Sequence, residues 1–164
     1  SANTPCEPLT PHQAVKLRRA LFLVVDAGRA AVGDWVNTLE GPRGADLVSA
    51  AADTAIDASV RASYTAFEQT MEEWRQQLVR WRCGLSAAQR KNYGAPERWN
   101  CRDVQFFIGR LGFDQLGGQR EAYLNKVKTS MQLPQDQVDE VITAGDESVT
   151  NNDVLRRFLN STRR

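Results

Sequence analysis

Side chains able to do chemistry are few in this sequence. His12 is the one histidine. It falls in the first turn of an expected helix, where the amide dipoles disfavour imidazolium and a capping or solvent-facing role suits it better than proton transfer. Three cysteines, Cys6, Cys83 and Cys101, make no C-x-x-C pair, and with a single histidine they give no zinc-ligand spacing. Cys83 and Cys101 flank one loop region and are able to pair, although reduced thiols in an intracellular protein are the simpler reading. Gly109, Gly112, Gly117 and Gly118 have neither the spacing nor the lysine of a phosphate-binding loop, and no G-x-S-x-G occurs. Glu72-Glu73 and Asp139-Glu140 are neighbours on expected helices and so point to different sides, which does not make an acid–base pair. The expectation is a protein that is not an enzyme and takes no metal, cofactor or small-molecule substrate.

Charge placement says more than net charge, which is only +1. Between Arg75 and Arg110 stand Arg75, Arg80, Arg82, Arg90, Lys91, Arg98, Arg102 and Arg110, opposed by Glu97 and Asp103 alone. Trp81, Tyr93, Trp99, Phe106 and Phe107 are interleaved with them. Arginines on phosphates with rings stacked on bases is how proteins hold single-stranded nucleic acid. On that reading the contacts are Arg80, Arg82, Arg90, Lys91, Tyr93, Arg98, Trp99 and Arg102, and the protein is a coat- or nucleocapsid-like subunit that binds single-stranded RNA. Between Gln132 and Asp153 the sign reverses: Asp136, Asp139, Glu140, Asp146, Glu147 and Asp153 meet no base. Asp136, Asp139, Glu140, Asp146 and Glu147 then form an acidic patch for assembly, which meets the basic stretch of the next molecule in a heterologous contact. The bland alternative is that the two segments face each other within one chain, or that each is a solvated surface.

The elements that must position these residues are read from periodicity. Ala45 to Cys83 runs without proline or internal glycine between Gly44 and Gly84. Its large apolar residues are Ile56, Val60, Tyr64, Phe67, Met71, Trp74, Leu78 and Trp81, spaced by threes and fours along one helical face. At 1.5 Å per residue such a helix is roughly 58 Å long, against about 40 Å for the diameter of a compact chain of this size. It must overhang unless it kinks or another molecule covers it.

Thr10, Pro11 and Gln13 make a capping box. They predict a helix from Pro11 to Leu39 with a stripe of Ala14, Leu17, Leu21, Val24, Gly28, Val32, Trp35 and Leu39. Ala20 to Val25 within it is apolar throughout; alone it could be a strand, but the helical flanks decide against that. Glu40 to Gly44 is a breaker short enough to make the two long helices antiparallel neighbours. Shorter helices are expected for Ser86–Asn92, for Cys101–Leu111 behind Asn100, for about Gln119–Gln132, from Pro134 to Gly145, and for Asn151–Asn160.

The predicted fold class is therefore all-α: a long antiparallel helical hairpin with four or five shorter helices packed on it. An extended arm, 1–9, precedes one helical domain, 10–164, divided into a long hairpin (10–84) and a short-helix half (85–164). The six-residue run Ala20 to Val25 is too short for a bilayer span or a signal-peptide core, so an intracellular, cytoplasmic protein without export signal or membrane segment is expected. Its predicted role is to self-associate or to dock a protein partner through the hairpin and the opposed charge patches.

Overall fold

The computed structural model describes residues 9–26, 44–127 and 132–163; within them, the side chains of 45–50 and 53 are left aside. It corrects the all-α expectation. The chain is mixed α/β, with two parallel strands, and no antiparallel hairpin of long helices is present among the described residues. In order, the elements are α1 (Pro11–Lys16), β1 (Arg19–Val25), α2 (Gly44–Cys83), α3 (Ala87–Asn92), β2 (Gln105–Leu111), a 3-10 turn (Phe113–Gln115), α4 (Gly118–Leu124), α5 (Gln135–Thr150) and α6 (Asp153–Thr162).

Two helix expectations fail for one reason. α1 opens on the predicted capping box, with Thr10 and Gln13 bonded reciprocally, but closes at Leu17. Ala20 to Val25 then belongs to β1. The second failure is Cys101–Leu111, where Asn100 does not cap a helix. Its Oδ1 accepts from the Arg102 amide in a turn, and β2 follows. The strands pair in register from Arg19↔Gln105 to Val25↔Leu111. A parallel strand covered on both faces is apolar on both, so it shows no alternation and imitates a buried helix segment. The rest of the predicted first helix, 27–39, and most of the N-terminal arm, 1–8, lie outside the described residues.

Side-chain parity fixes three layers. Phe22 and Phe106 point to α2, where Phe22 meets Phe67 edge-on at 5.9 Å and Phe106 meets Trp74 at 4.9 Å. Phe107 points the other way, 5.5 Å from Phe158 of α6. Gly109 shares that face and lets the backbone of α6 come close, since a Cβ there would lie 3.0 Å from the Val154 Cβ. Ala14, Leu78 and Val104 form a buried cluster, with Leu17, Val79 and Phe106 against it.

α2 is one unbroken helix of 40 residues, about 60 Å long, while seven-residue strands span about 23 Å. Only its C-terminal half lies along the sheet: Tyr64, Phe67, Met71 and Trp74 are half-buried and Leu78 is buried. The N-terminal half projects, with Ile56 62% and Val60 38% exposed. Alanines at 51, 52, 55, 58 and 62 supply the helix propensity this half needs without packing. The Asp57–Arg61 ion pair at 2.6 Å, one turn apart, adds to it.

The second half departs from expectation in detail. α4 ends at Leu124 and α5 runs through Gly145 to Thr150. α6 is capped by Asn152, whose Oδ1 accepts from the Leu155 amide at 3.0 Å. Ile142 of α5 is 65% exposed. No helix among the described residues is long and apolar enough to cross a membrane.

Candidate functional site

The predicted nucleic-acid contacts gather where α2 ends, around α3 and the 93–104 connection, but they do not form one surface. Arg82 is fully buried. From the last turn of α2 its Nη1 donates to the Leu17 carbonyl at 2.7 Å and its Nη2 to the Asn100 carbonyl at 3.1 Å. The guanidinium lies 5.0 Å from the centre of the Trp99 ring, a cation–π contact. Trp99 in turn donates its indole N–H to the Val15 carbonyl at 2.9 Å. Burial pushes the Arg82 pKa down, partly offset by the Asp103 carboxylate and reinforced by Arg18. Arg82 and Trp99 are thus a structural joint between α1, α2 and the strand that follows; Arg82 is closed to a phosphate, while Trp99 is half-buried with the guanidinium over its ring.

Tyr93 is also engaged, stacked on Trp81 at 6.1 Å and meeting His12 edge-on at 5.7 Å. Arg80, Arg90, Lys91, Arg98 and Arg102 remain exposed. Each is without an ion-pair partner among the described residues.

A disulfide closes this end of the molecule. Cys83 and Cys101 are bonded, with S–S 2.02 Å, which corrects the expectation of reduced thiols. The bond ties the last residue of α2 to the turn that leads into β2, one residue from the carbonyl that Arg82 holds.

At the carboxyl ends of the strands Arg110 bridges Asp26 (2.7 Å) and Asp114. Burial lowers the Arg110 pKa, but the two carboxylates outweigh it and raise the value overall. Nearby, Tyr64 is raised by its own burial and then by Glu68.

The acidic patch is divided. Arg120 of α4 takes Glu140 at 3.0 Å and Glu147 at 2.7 Å, so two of its five carboxylates share one arginine within the chain. Asp139 accepts from Gln135 at 2.9 Å, while Asp136 and Asp146 are exposed. Among the described residues no ion pair joins the basic segment to the acidic one, and no group of three or more His, Cys, Asp or Glu is placed to hold a metal ion.

No protein-family model, curated protein or solved structure matches this chain. Its function is therefore argued from its own geometry.

The sequence reading missed two features. The Arg82 joint has no signature, because a buried arginine looks like any other in a basic stretch. The second is a groove of about 490 Å³ beside β2, lined by Glu72, Arg75, Val104–Ile108 and Arg157. Strand formers concentrated in Val104–Ile108 were the available signal.

Proposed function

We propose that this protein is a non-enzymatic assembly subunit that pairs with a second copy through the projecting half of α2. The observation that carries this is the exposure of Ile56 and Val60 on the same helical stripe that C-terminally buries Leu78. An apolar stripe that leaves its own globule is a seam for another helix. The second copy is favoured by charge. Asp57 and Arg61 lie along one flank of the stripe. In an antiparallel pairing centred on Ser59, Asp57 of each helix stands opposite Arg61 of the other. Ala52 and Ser63, on the same side of the helix, are small enough to let the two axes approach.

The test is the solution mass, by light scattering and native mass spectrometry, of the parent and of Ile56→Asp/Val60→Asp. A dimer that the double substitution converts to a monomer, with far-UV circular dichroism kept, is the expected result. A parent that stays monomeric at the highest attainable concentration refutes the reading. The Cys83–Cys101 bond supports an oxidising compartment as its place of work, against the cytoplasmic one expected.

A second reading has its own observation: Arg80, Arg90, Lys91, Arg98 and Arg102 are exposed at one end. They suit the backbone of single-stranded RNA, without the ring stacking first expected of Tyr93 and Trp99. An absorbance ratio typical of pure protein, together with no binding of oligouridylate at low salt, would dismiss it.

A further inference from the structure

The groove beside β2 is an open sheet edge. Its lining includes five consecutive residues, Val104 to Ile108, whose side chains alternate between the two faces. Only the side of a strand presents both parities at once. The Gln105 amide donates to the Arg18 carbonyl at 2.8 Å and the Leu111 carbonyl accepts from the Asp26 amide at 2.7 Å. In the parallel ladder between them, residues 105, 107, 109 and 111 therefore turn their backbone groups to β1. Residues 106, 108 and 110 turn theirs to the groove. The Arg110 carbonyl there is taken by the side chains of Gln115 (2.6 Å) and Asn152 (3.1 Å). The outward N–H and C=O of Phe106 and Ile108 have no partner among the described residues, and backbone groups at such a site seek one.

The walls set the chemistry of the occupant. On the α2 side, Arg75 grips the Glu72 carboxylate with two bonds, at 2.8 and 2.6 Å, and Gln76 adds a third at 2.9 Å. That carboxylate is saturated and its charge is balanced. On the α6 side, Arg157 is exposed and has no ion-pair partner among the described residues. The groove thus offers two donors and two acceptors in strand spacing beside one unbalanced positive charge.

We propose that this groove binds an extended, carboxylate-bearing peptide as a third strand on β2. The peptide backbone pairs with Phe106 and Ile108, and its acidic side chain meets Arg157. Main-chain bonds supply the affinity in this mode and the flanking side chain supplies the choice of sequence.

Fluorescence anisotropy with three labelled peptides tests it: Thr-Val-Glu-Val-Thr, Thr-Val-Lys-Val-Thr, and the first with its backbone amides N-methylated. The glutamate peptide is expected to bind about fivefold more tightly than the lysine peptide, a ratio in keeping with one half-exposed ion pair. N-methylation should abolish binding, and Arg157→Glu, an exposed change that spares folding, should invert the preference. Hydrogen exchange on the peptide-free protein should show fast Phe106 and Ile108 amides beside slow Phe107 and Gly109, with the fast pair slowed by the glutamate peptide. Failure of that peptide to bind, binding indifferent to N-methylation, or amides at Phe106 and Ile108 already protected without peptide would each overturn the proposal. The last outcome in a dimeric sample would assign the edge to a second copy. Because Ile56 and Val60 lie far along α2, the Ile56→Asp/Val60→Asp monomer should bind the peptide as the parent does.

Discussion

Removing the Arg82 guanidinium tests whether the C-terminal end of α2 is held as the geometry implies. Its two bonds, to the Leu17 and Asn100 carbonyls, are charge-assisted and contribute about 1.5–3 kcal/mol each. The Trp99 contact adds up to about 2 kcal/mol in a desolvated setting. Against these stand the several kcal/mol needed to bury a cation and an Nε with no partner among the described residues. The group is therefore worth little relative to an apolar side chain that filled the same space. Its deletion is a different matter. Arg82→Ala leaves two carbonyls unpaired beside a cavity, and the expected loss is about 3–5 kcal/mol. Arg82→Met refills most of the volume and should cost roughly half of that. At 2–4 °C per kcal/mol for a chain of this size, the alanine variant should melt about 10 °C lower.

Urea unfolding followed by tryptophan fluorescence, with the disulfide kept oxidised, gives the comparison. The indole N–H resonance of Trp99, which is fixed by the Val15 carbonyl, gives a local readout and should move in both variants. A loss under about 1 kcal/mol for alanine, or methionine proving worse than alanine, would refute the account of Arg82 as a space-filling tie.

The remaining expectations are smaller. The Cys83–Cys101 bond spans a separation of 18 residues, for which loop-closure entropy gives about 3 kcal/mol; the double serine variant should lose that much in urea unfolding at unchanged helix content. Gly109→Ala drives a methyl to 3.0 Å from Val154 and 3.1 Å from Leu23, and should cost about 1–3 kcal/mol by overpacking, recovered in part by Val154→Ala. Glu72 is held down to about 2, first by the Arg75 bond and then by Gln76. A depressed carboxylate adds stability at neutral pH that disappears as the pH falls from the ordinary carboxylate range toward 2. Its side chain is half exposed, so the discounted worth is only about 0.3–0.5 kcal/mol. An NMR titration of Glu72 with a midpoint in the ordinary carboxylate range would contradict the two-bond geometry.

How much of this was legible follows from what each signal measures. The long helix was readable because Tyr64, Phe67, Met71, Trp74 and Leu78 repeat at helical spacing over many turns. The starts of α1 and α3 were readable because a local pair writes each of them, Thr10–Gln13 and Ser86–Gln89. The strands were not, because β1 and β2 are each other's only strand partners among the described residues and lie 86 residues apart in register. Each alone is a short apolar run, and neither run contains the evidence for its partner. The acidic patch shows the converse limit. Glu140 and Glu147 sit seven residues apart on one side of α5 and share Arg120, a partner that the local charge count leaves out.

These features meet in the way α2 is loaded. Its C-terminal half is fixed by sheet packing at Phe67 and Trp74, by the Arg82 tie and by the Cys83 bond, all within its last five turns. Its N-terminal half carries a continuation of the same stripe, with Ile56 and Val60 exposed and the Asp57–Arg61 pair along its flank. A helix that needed only to cover a sheet of about 23 Å would gain nothing from another 30 Å of rod. An isolated segment of that length is marginal in water, and ordering each of its residues costs about 1–2 kcal/mol of backbone entropy. Anchoring one end so firmly while extending the other is the arrangement expected of a lever or a seam, since a rigid base fixes the direction in which the exposed stripe is presented. A second helix laid on Ile56 and Val60, as the proposed pairing requires, would supply burial for that stripe and so tie the helix's length to assembly.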